Sequence, residues 1–312
     1  MNYTILFSIF SVIAIVGLIF SFSMNSYIQI YDSDWNGIFS NQEIQENSKK
    51  RIFLIGSSSV YSVNATHINH QLSSNNLNYE IFNLADMSDS PRKRIQSIEN
   101  IISNEPQIVI YGLGAWEFKK NHSSKPYLQE LMLNPKSFFF YMFEDVVQPI
   151  RENIPGSPKD RSLLTAKYFL FGPEQKYHPF INFHKTPITP INEIITEWGN
   201  PELTGLDLSN ESVQLNSLKN LILEFKKNDI QLIIFTNPYQ KISVSNEGII
   251  DFKQTLENIS NEYEIPIYFL HDSYFEMEIW RDNVHVAVHQ DAQIFTHDVL
   301  QIIIQELQSN AI

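Results

Sequence analysis

Two short stretches carry the residue types that nucleophilic chemistry needs. The first is Arg51-Ile-Phe-Leu-Ile-Gly-Ser-Ser-Ser59, an apolar run that stops at Gly56 and then delivers three serines in succession. A serine hydroxyl is a poor nucleophile at neutral pH until a positioned base takes its proton. The base is most often a histidine held in one tautomer by a carboxylate. The second stretch, Trp280-Arg-Asp282-Asn-Val-His285, supplies such a pair three residues apart. At that spacing the carboxylate reaches Nδ1 of His285 and leaves Nε2 to face a serine such as Ser58. Each stretch also has a plainer reading. Gly-Ser-Ser-Ser suits the cap of a following helix or an anion seat at its N-terminus, and an isolated Asp-x-x-His carries little information. Metal binding is the competing use of His285, His289 and His297 with Asp282 and Asp291. The chain has no His-Glu-x-x-His motif and no cysteine, so neither a metal nor any other cofactor is expected.

For these stretches to meet, they must lie at one edge of a sheet. An apolar strand that ends in glycine and hands over to a helix turns at the carboxyl edge, where open α/β folds place their ligands. The elements alternate as that fold requires. Strands are expected from Arg51, over Tyr79–Leu84, over Gln107–Tyr111 ending at Gly112, over Gln231–Phe235 and over Ile265–Leu270. Between them, helices are expected around Ile68–Leu72, from Pro91 with an Ile95/Ile98/Ile102 stripe, through Leu218, Leu221, Ile222 and Phe225, and over Phe252–Ile259. A last helix carries Ala292, Phe295, Val299, Ile303 and Leu307 on one face. The expected architecture is a three-layer α/β/α sandwich with a five-stranded parallel sheet in the order 2-1-3-4-5. Ser58 then follows the first strand, while Asp282 and His285 follow the last.

The rhythm stops over about 118–210, a segment rich in proline and aromatics such as Phe138-Phe-Phe-Tyr-Met-Phe143. A structureless loop of that length is improbable, so an insertion with helices of its own is expected. Its aromatics read as a small core rather than a ligand cage. At the other end, Ile5–Phe22 holds no charged residue, giving roughly 18 to 20 residues to cross a hydrocarbon layer of about 30 Å. The reading is a transmembrane anchor at 4–24, a polar linker at 25–49 and an α/β domain at 50–312. The alternative is a cleaved signal peptide with a Ser21/Ser23 site, which the absence of a basic N-terminal region disfavours. Asp32 and Asp34 suggest that the C-terminal domain is extracytoplasmic. A formal charge of −13 disfavours nucleic acid. Arg92-Lys93-Arg94 reads as a wet surface, or as a seat for an anionic group of a substrate.

With these residues in place, the chain resembles the SGNH, or GDSL-like, hydrolase superfamily. The resemblance rests on Gly56-Ser57-Ser58, where that family has Gly-Asp-Ser or Gly-Ser-Ser with the last serine as nucleophile. It rests equally on Asp282-x-x-His285 before the terminal helix, in the family's order of serine, aspartate, histidine. It covers about 51–118 and 210–309. By this resemblance Ser58 is the nucleophile, with Ser57 the second choice, His285 the base and Asp282 its partner. The anchored layout is similar to that of envelope members that acylate or deacylate surface polysaccharides. The implied substrate is an ester-bearing glycan or a small acyl ester, and the implied activity is a hydrolase (esterase) or acyltransferase. An inactive binding or assembly protein of the same fold is the alternative.

Two blocks depart from the family. Where a glycine N–H helps to hold the oxyanion, this chain has Asn83-Leu-Ala85-Asp-Met-Ser88, in which Ala85 retains an N–H. Where the family has Gly-x-Asn-Asp, this chain has Gly112-Leu-Gly114-Ala115, without the asparagine. Loss of one such donor costs on the order of 10²- to 10³-fold in rate. The expected oxyanion set is Ser58, Ala85 and a substitute side chain, Asn237 or Asn83.

Overall fold

The computed structural model describes Ser11 and residues 49–85, 89–96, 98–119, 186–198, 205–241 and 246–309. All but Ser11 belong to one compact unit. The expected span at 4–24, the linker and most of the insertion fall, Ser11 and Lys49 aside, outside the described residues. Among the described residues no helix is long and apolar enough to cross a membrane.

Strands β1 (Lys50–Gly56), β2 (Tyr79–Asn83), β3 (Ile108–Leu113), β4 (Gln231–Thr236) and β5 (Ile267–Tyr268) form one sheet in the order β2-β1-β3-β4-β5, parallel throughout. The central strands are apolar at consecutive positions because both faces are covered. Ile52, Phe53, Leu54 and Ile55 are all fully buried. β5 is shorter than expected. It sits at the edge and pairs with β4 only through Ile234/Ile267 and Phe235/Tyr268, so its apolar flanks do not join a ladder.

The helices are α1 (Ala65–Ser74), α2 (Pro91–Gln96), α3 (Ile98–Ile102), α4 (Ile191–Trp198), α5 (Val213–Lys227), α6 (Asn246–Tyr263) and α7 (Ile294–Ser309). On one face, Ile52, Leu54, Ile110, Ile233 and Phe235 join Ile68 and Leu72 of α1 and Phe295, Val299 and Ile303 of α7 in a single core. On the other, α5 packs against β4, α2 and α3. Phe235 meets Phe295 edge-on at 5.8 Å, fixing α7 over the carboxyl half of β4.

Two helices differ from the sequence expectation. Among the described residues between Pro91 and Ile102 the buried positions are Pro91, Arg94, Ile98 and Ile101, with Ile95 and Ile102 only half-buried. Arg94 is therefore interior, which corrects the wet-surface reading of Arg92-Lys93-Arg94 at this residue. α6 begins at Asn246, six residues ahead of Phe252, because its first turns lie in solvent and carry no apolar stripe.

Candidate active site

Register places Gly56 beside Gly112 and Leu113 beside Thr236, so β1, β3 and β4 release the chain side by side. Gly56 adopts φ +147°, and a Cβ there would lie 2.5 Å from the Gly112 carbonyl oxygen and 2.7 Å from Val60 Cγ2. Glycine is what lets these two strand ends close together. The chain then enters a 3-10 turn at Ser58–Val60, closed by the Val60 N–H on the Ser57 carbonyl at 3.0 Å. Ser59 and Val60 face inward, and Ser57 and Ser58 stay half-buried. The Ser58 hydroxyl is thus held on a rigid turn and remains reachable from solvent.

Asp282 and His285 sit in a loop whose two arms are pinned into the core. Ile279 and Trp280 on one arm and Val286 and Ala287 on the other are buried. Trp280 and Val286 form an antiparallel bridge, and the Arg281 N–H closes on the His285 carbonyl at 2.9 Å. Within the loop, Asp282 Oδ1 accepts the Val284 N–H at 3.0 Å and the His285 N–H at 2.9 Å. Both carboxylate oxygens lie 2.8 Å from His285 Nδ1. An ionised carboxylate only accepts, so the proton sits on Nδ1 and Nε2 presents a lone pair. Nε2 lies 2.8 Å from Ser58 Oγ. The expected nucleophile, base and acid are therefore brought together, hydrogen-bonded in that order. Burial pushes the Asp282 carboxyl up, but the hydrogen bond and charge of His285 and the two backbone donors outweigh it. The net effect holds Asp282 below its ordinary value of 3.8.

The expected oxyanion donors are placed less uniformly. The Ser58 N–H opens a helical turn, so no carbonyl one turn back claims it. The Ala85 N–H is already engaged, donating to Asn83 Oδ1 at 3.1 Å. Asn83 spends its two amide protons on the Val60 and Val63 carbonyls, each at 3.0 Å, tying the serine turn to the end of β2. It has none left for a ligand. Asn237 is fully buried, and its Nδ2 donates to the Gly112 carbonyl at 3.2 Å. The same nitrogen lies 3.5 Å from Ser57 Oγ, so Asn237 backs Ser57 and does not face the open side of Ser58.

A polar cluster beneath the serine turn went unread in the sequence. Glu117, in the 3-10 turn Ala115–Phe118 after β3, is buried and accepts the Gly114 N–H at 3.1 Å. Burial raises its carboxyl well above the ordinary value of 4.5 and the charge of Asp89 raises it further. Gly114, the Ser57 hydroxyl and Arg94 offset this only in part. The Tyr239 hydroxyl, also buried, accepts the Ala115 N–H. Burial and then the Glu117 carboxyl hold that phenol well above its ordinary range. Asp89 and Arg94 form a buried ion pair at 2.6 Å, and Arg94 also donates to the Leu84 carbonyl at 2.9 Å. One signal was available for Glu117, a single carboxylate inside the otherwise apolar run Leu113–Phe118. Among the described residues, no three metal-binding side chains converge.

No protein-family profile and no curated protein matches the sequence. Among solved structures, the chain is similar to a psychrotrophic esterase from Pseudoalteromonas sp. The identity is 9% and the TM-score 0.45, over 83% of this chain and 100% of that one. It is likewise similar to an acetyl-xylooligosaccharide esterase from a Geobacillus species, with 12% identity and TM-score 0.44 over 82% and 94% of the two chains. A third is AlinE4, an SGNH-hydrolase family esterase, with 11% identity and TM-score 0.39 over 83% and 97%.

Proposed function

We propose that this chain is a membrane-anchored, extracytoplasmic serine esterase or O-acyltransferase of the SGNH type, acting on an ester-modified cell-surface carbohydrate or a similar ester. The observation that carries the reading is the unbroken series from Ser58 Oγ to His285 Nε2 at 2.8 Å and from His285 Nδ1 to Asp282 at 2.8 Å. Ser58 Oγ attacks the ester carbonyl while its proton passes to His285 Nε2, and Asp282 stabilises the imidazolium. The tetrahedral oxyanion collapses, the alcohol leaves with the proton from Nε2, and Ser58 keeps the acyl group. Water or a sugar hydroxyl then gives up its proton to Nε2 and takes the acyl group, and Ser58 Oγ leaves with that proton. That last choice alone separates hydrolysis from transfer. The uncharged run Ile5–Phe22 supports the anchor.

The test uses the full-length chain in detergent. Fluorophosphonate should label Ser58, and short aryl esters should be hydrolysed, both lost in Ser58→Ala with the fold intact. A wild-type chain that is neither labelled nor active overturns the proposal. It would leave the second reading, a non-catalytic envelope binding or assembly protein. That reading is favoured by Gly114 standing in place of asparagine and by the engaged Ala85 N–H.

A further inference from the structure

Of the donors expected on the oxyanion side, the Ser58 N–H is open while the Ala85 N–H and the Asn83 amide are engaged, yet the residue next to the nucleophile carries a hydroxyl in an unusual setting. Ser57 Oγ is half-buried at the carboxyl edge, on the side where β3 and β4 end. Asn237 Nδ2 stands 3.5 Å from it, while the other proton of that amide is taken by the Gly112 carbonyl at 3.2 Å. Asn237 thereby approaches Ser57 as a donor, which leaves the Ser57 proton to be given elsewhere. Within the protein the Ser57 hydroxyl also acts on the Glu117 carboxyl, lowering it against the larger rise from burial. Glu117 is fully enclosed, close to the negative Asp89, and among the described residues its Oε2 has no hydrogen-bond partner. Asn237 Oδ1, in the same cluster, is likewise a buried acceptor without a donor. A proton on Glu117 relieves this excess of acceptors, and burial favours that neutral form. A neutral carboxyl holds the Ser57 proton weakly, so the hydroxyl can rotate toward a stronger acceptor.

We propose that the Ser57 hydroxyl is the side-chain donor to the oxyanion formed on Ser58, with Asn237 and Glu117 as the positioning residues behind it. This rests on the serine-ester reading above and deepens it. As the carbonyl oxygen gains charge, the Ser57 O–H rotates toward the oxyanion and joins the Ser58 N–H there, while Ser57 Oγ keeps facing Asn237 Nδ2. No bond to the proton breaks; only the acceptor changes. The Gly114 position fits this arrangement. A Cβ there would lie 3.1 Å from both Glu117 Oε1 and the Tyr239 hydroxyl, and 3.4 Å from Asn237 Nδ2. A side chain at 114 would thus start out against the Glu117 carboxyl, the Tyr239 hydroxyl and the Asn237 amide.

The experiment measures aryl acetate hydrolysis and phenylboronic acid inhibition by the full-length wild type, Ser57→Ala and Ser57→Thr. Ser57→Ala should lower kcat by on the order of 10²- to 10³-fold, with little change in KM. Its inhibition constant for the boronic acid, whose adduct carries a tetrahedral oxygen, should rise with the loss in kcat. Ser57→Thr, which keeps the hydroxyl, should retain most of kcat. The inference is overturned if Ser57→Ala stays within about threefold of wild type, or if the threonine and alanine variants lose kcat equally. An active wild type with an unimpaired Ser57→Ala sinks this inference alone, whereas a wild type with no Ser58-dependent turnover sinks the esterase reading as well.

Discussion

Replacing Asp282 by asparagine separates the chemistry of the site from its architecture, and the structure sets the size of the effect. Oδ1 accepts two backbone N–H groups, from Val284 at 3.0 Å and His285 at 2.9 Å. The new amide must keep its oxygen there, since turning the NH₂ inward would set donors against donors. The NH₂ then takes the place of Oδ2, 2.8 Å from His285 Nδ1. Oδ1 is as near to Nδ1 as the NH₂ is, but it is already taken up by the two backbone N–H groups, so Nδ1 accepts from the NH₂ and the proton moves to Nε2, pointing at Ser58 Oγ across 2.8 Å. The lone pair that would have taken the serine proton is gone. Loss of a base through the wrong tautomer costs about 10⁴ in kcat, or about 5 to 6 kcal/mol of barrier. Stability should change far less, because both backbone bonds of the loop survive and the buried charge is removed. The exposed Arg281, 3.9 Å from Oδ2, contributes little. The assay pairs aryl acetate kcat/KM with thermal unfolding. A loss of less than tenfold, with the fold intact, would refute the assignment of Asp282 as the group that fixes the tautomer of His285.

Two further outcomes follow from the strand ends. Gly112→Ala would set a Cβ 2.5 Å from Val60 Cγ2, 2.7 Å from Asn237 Oδ1 and 2.8 Å from Phe235 Cζ, so the urea midpoint should fall by an amount equivalent to about 1–3 kcal/mol; an unchanged midpoint would show that the strand ends have slack. Glu117 has a raised carboxyl, so the folded state holds its proton more tightly than the unfolded one, and stability is lost as pH rises from the ordinary value of 4.5 through the raised one. Glu117→Gln removes that dependence, and melting temperatures of wild type relative to the variant should fall with rising pH; a gap that does not vary with pH would refute the buried neutral acid.

The sheet was legible in the sequence because its central strands β1, β3 and β4 are runs of Ile, Val, Leu and Phe that end at Gly56, one residue past Gly112 and at Thr236, and a parallel sheet covered on both faces needs such runs. β1, β3 and β4 lie within two residues of expectation. The stripes of α5 and α7 were legible for a related reason, since each has one face on the sheet and one in water. On the helix after Pro91 the expected stripe lies beside the centre of the buried face, with Ile98 buried and Ile95 and Ile102 half-buried. Hydrophobic pattern places arginine outside, but Arg94 is drawn inward by Asp89 at 2.6 Å, a carboxylate supplied by the preceding loop. No apolar period records an ion pair, so the stripe Ile95/Ile98/Ile102 looked sound while the chain buried Arg94, Ile98 and Ile101.

The same distinction runs through the site. Ser58, Asp282 and His285 could be found because serine follows the first strand and the Asp-x-x-His pair shares one loop, so chain order and strand order together bring them to one edge. The oxyanion side obeys no such local rule. Glu117 follows β3, whereas Asn237 and Tyr239 follow β4 more than a hundred residues later, and they converge only because those strands are neighbours with Leu113 beside Thr236. Read along the chain, Gly114 is a missing asparagine. Read across the sheet, it is the space around which a carboxyl, an amide and a phenol pack, beside the turn that carries Ser57 and Ser58. A donor lost from one strand end can therefore be replaced from the next without trace in any single motif, because the oxyanion responds only to where a proton is presented and not to which strand presents it.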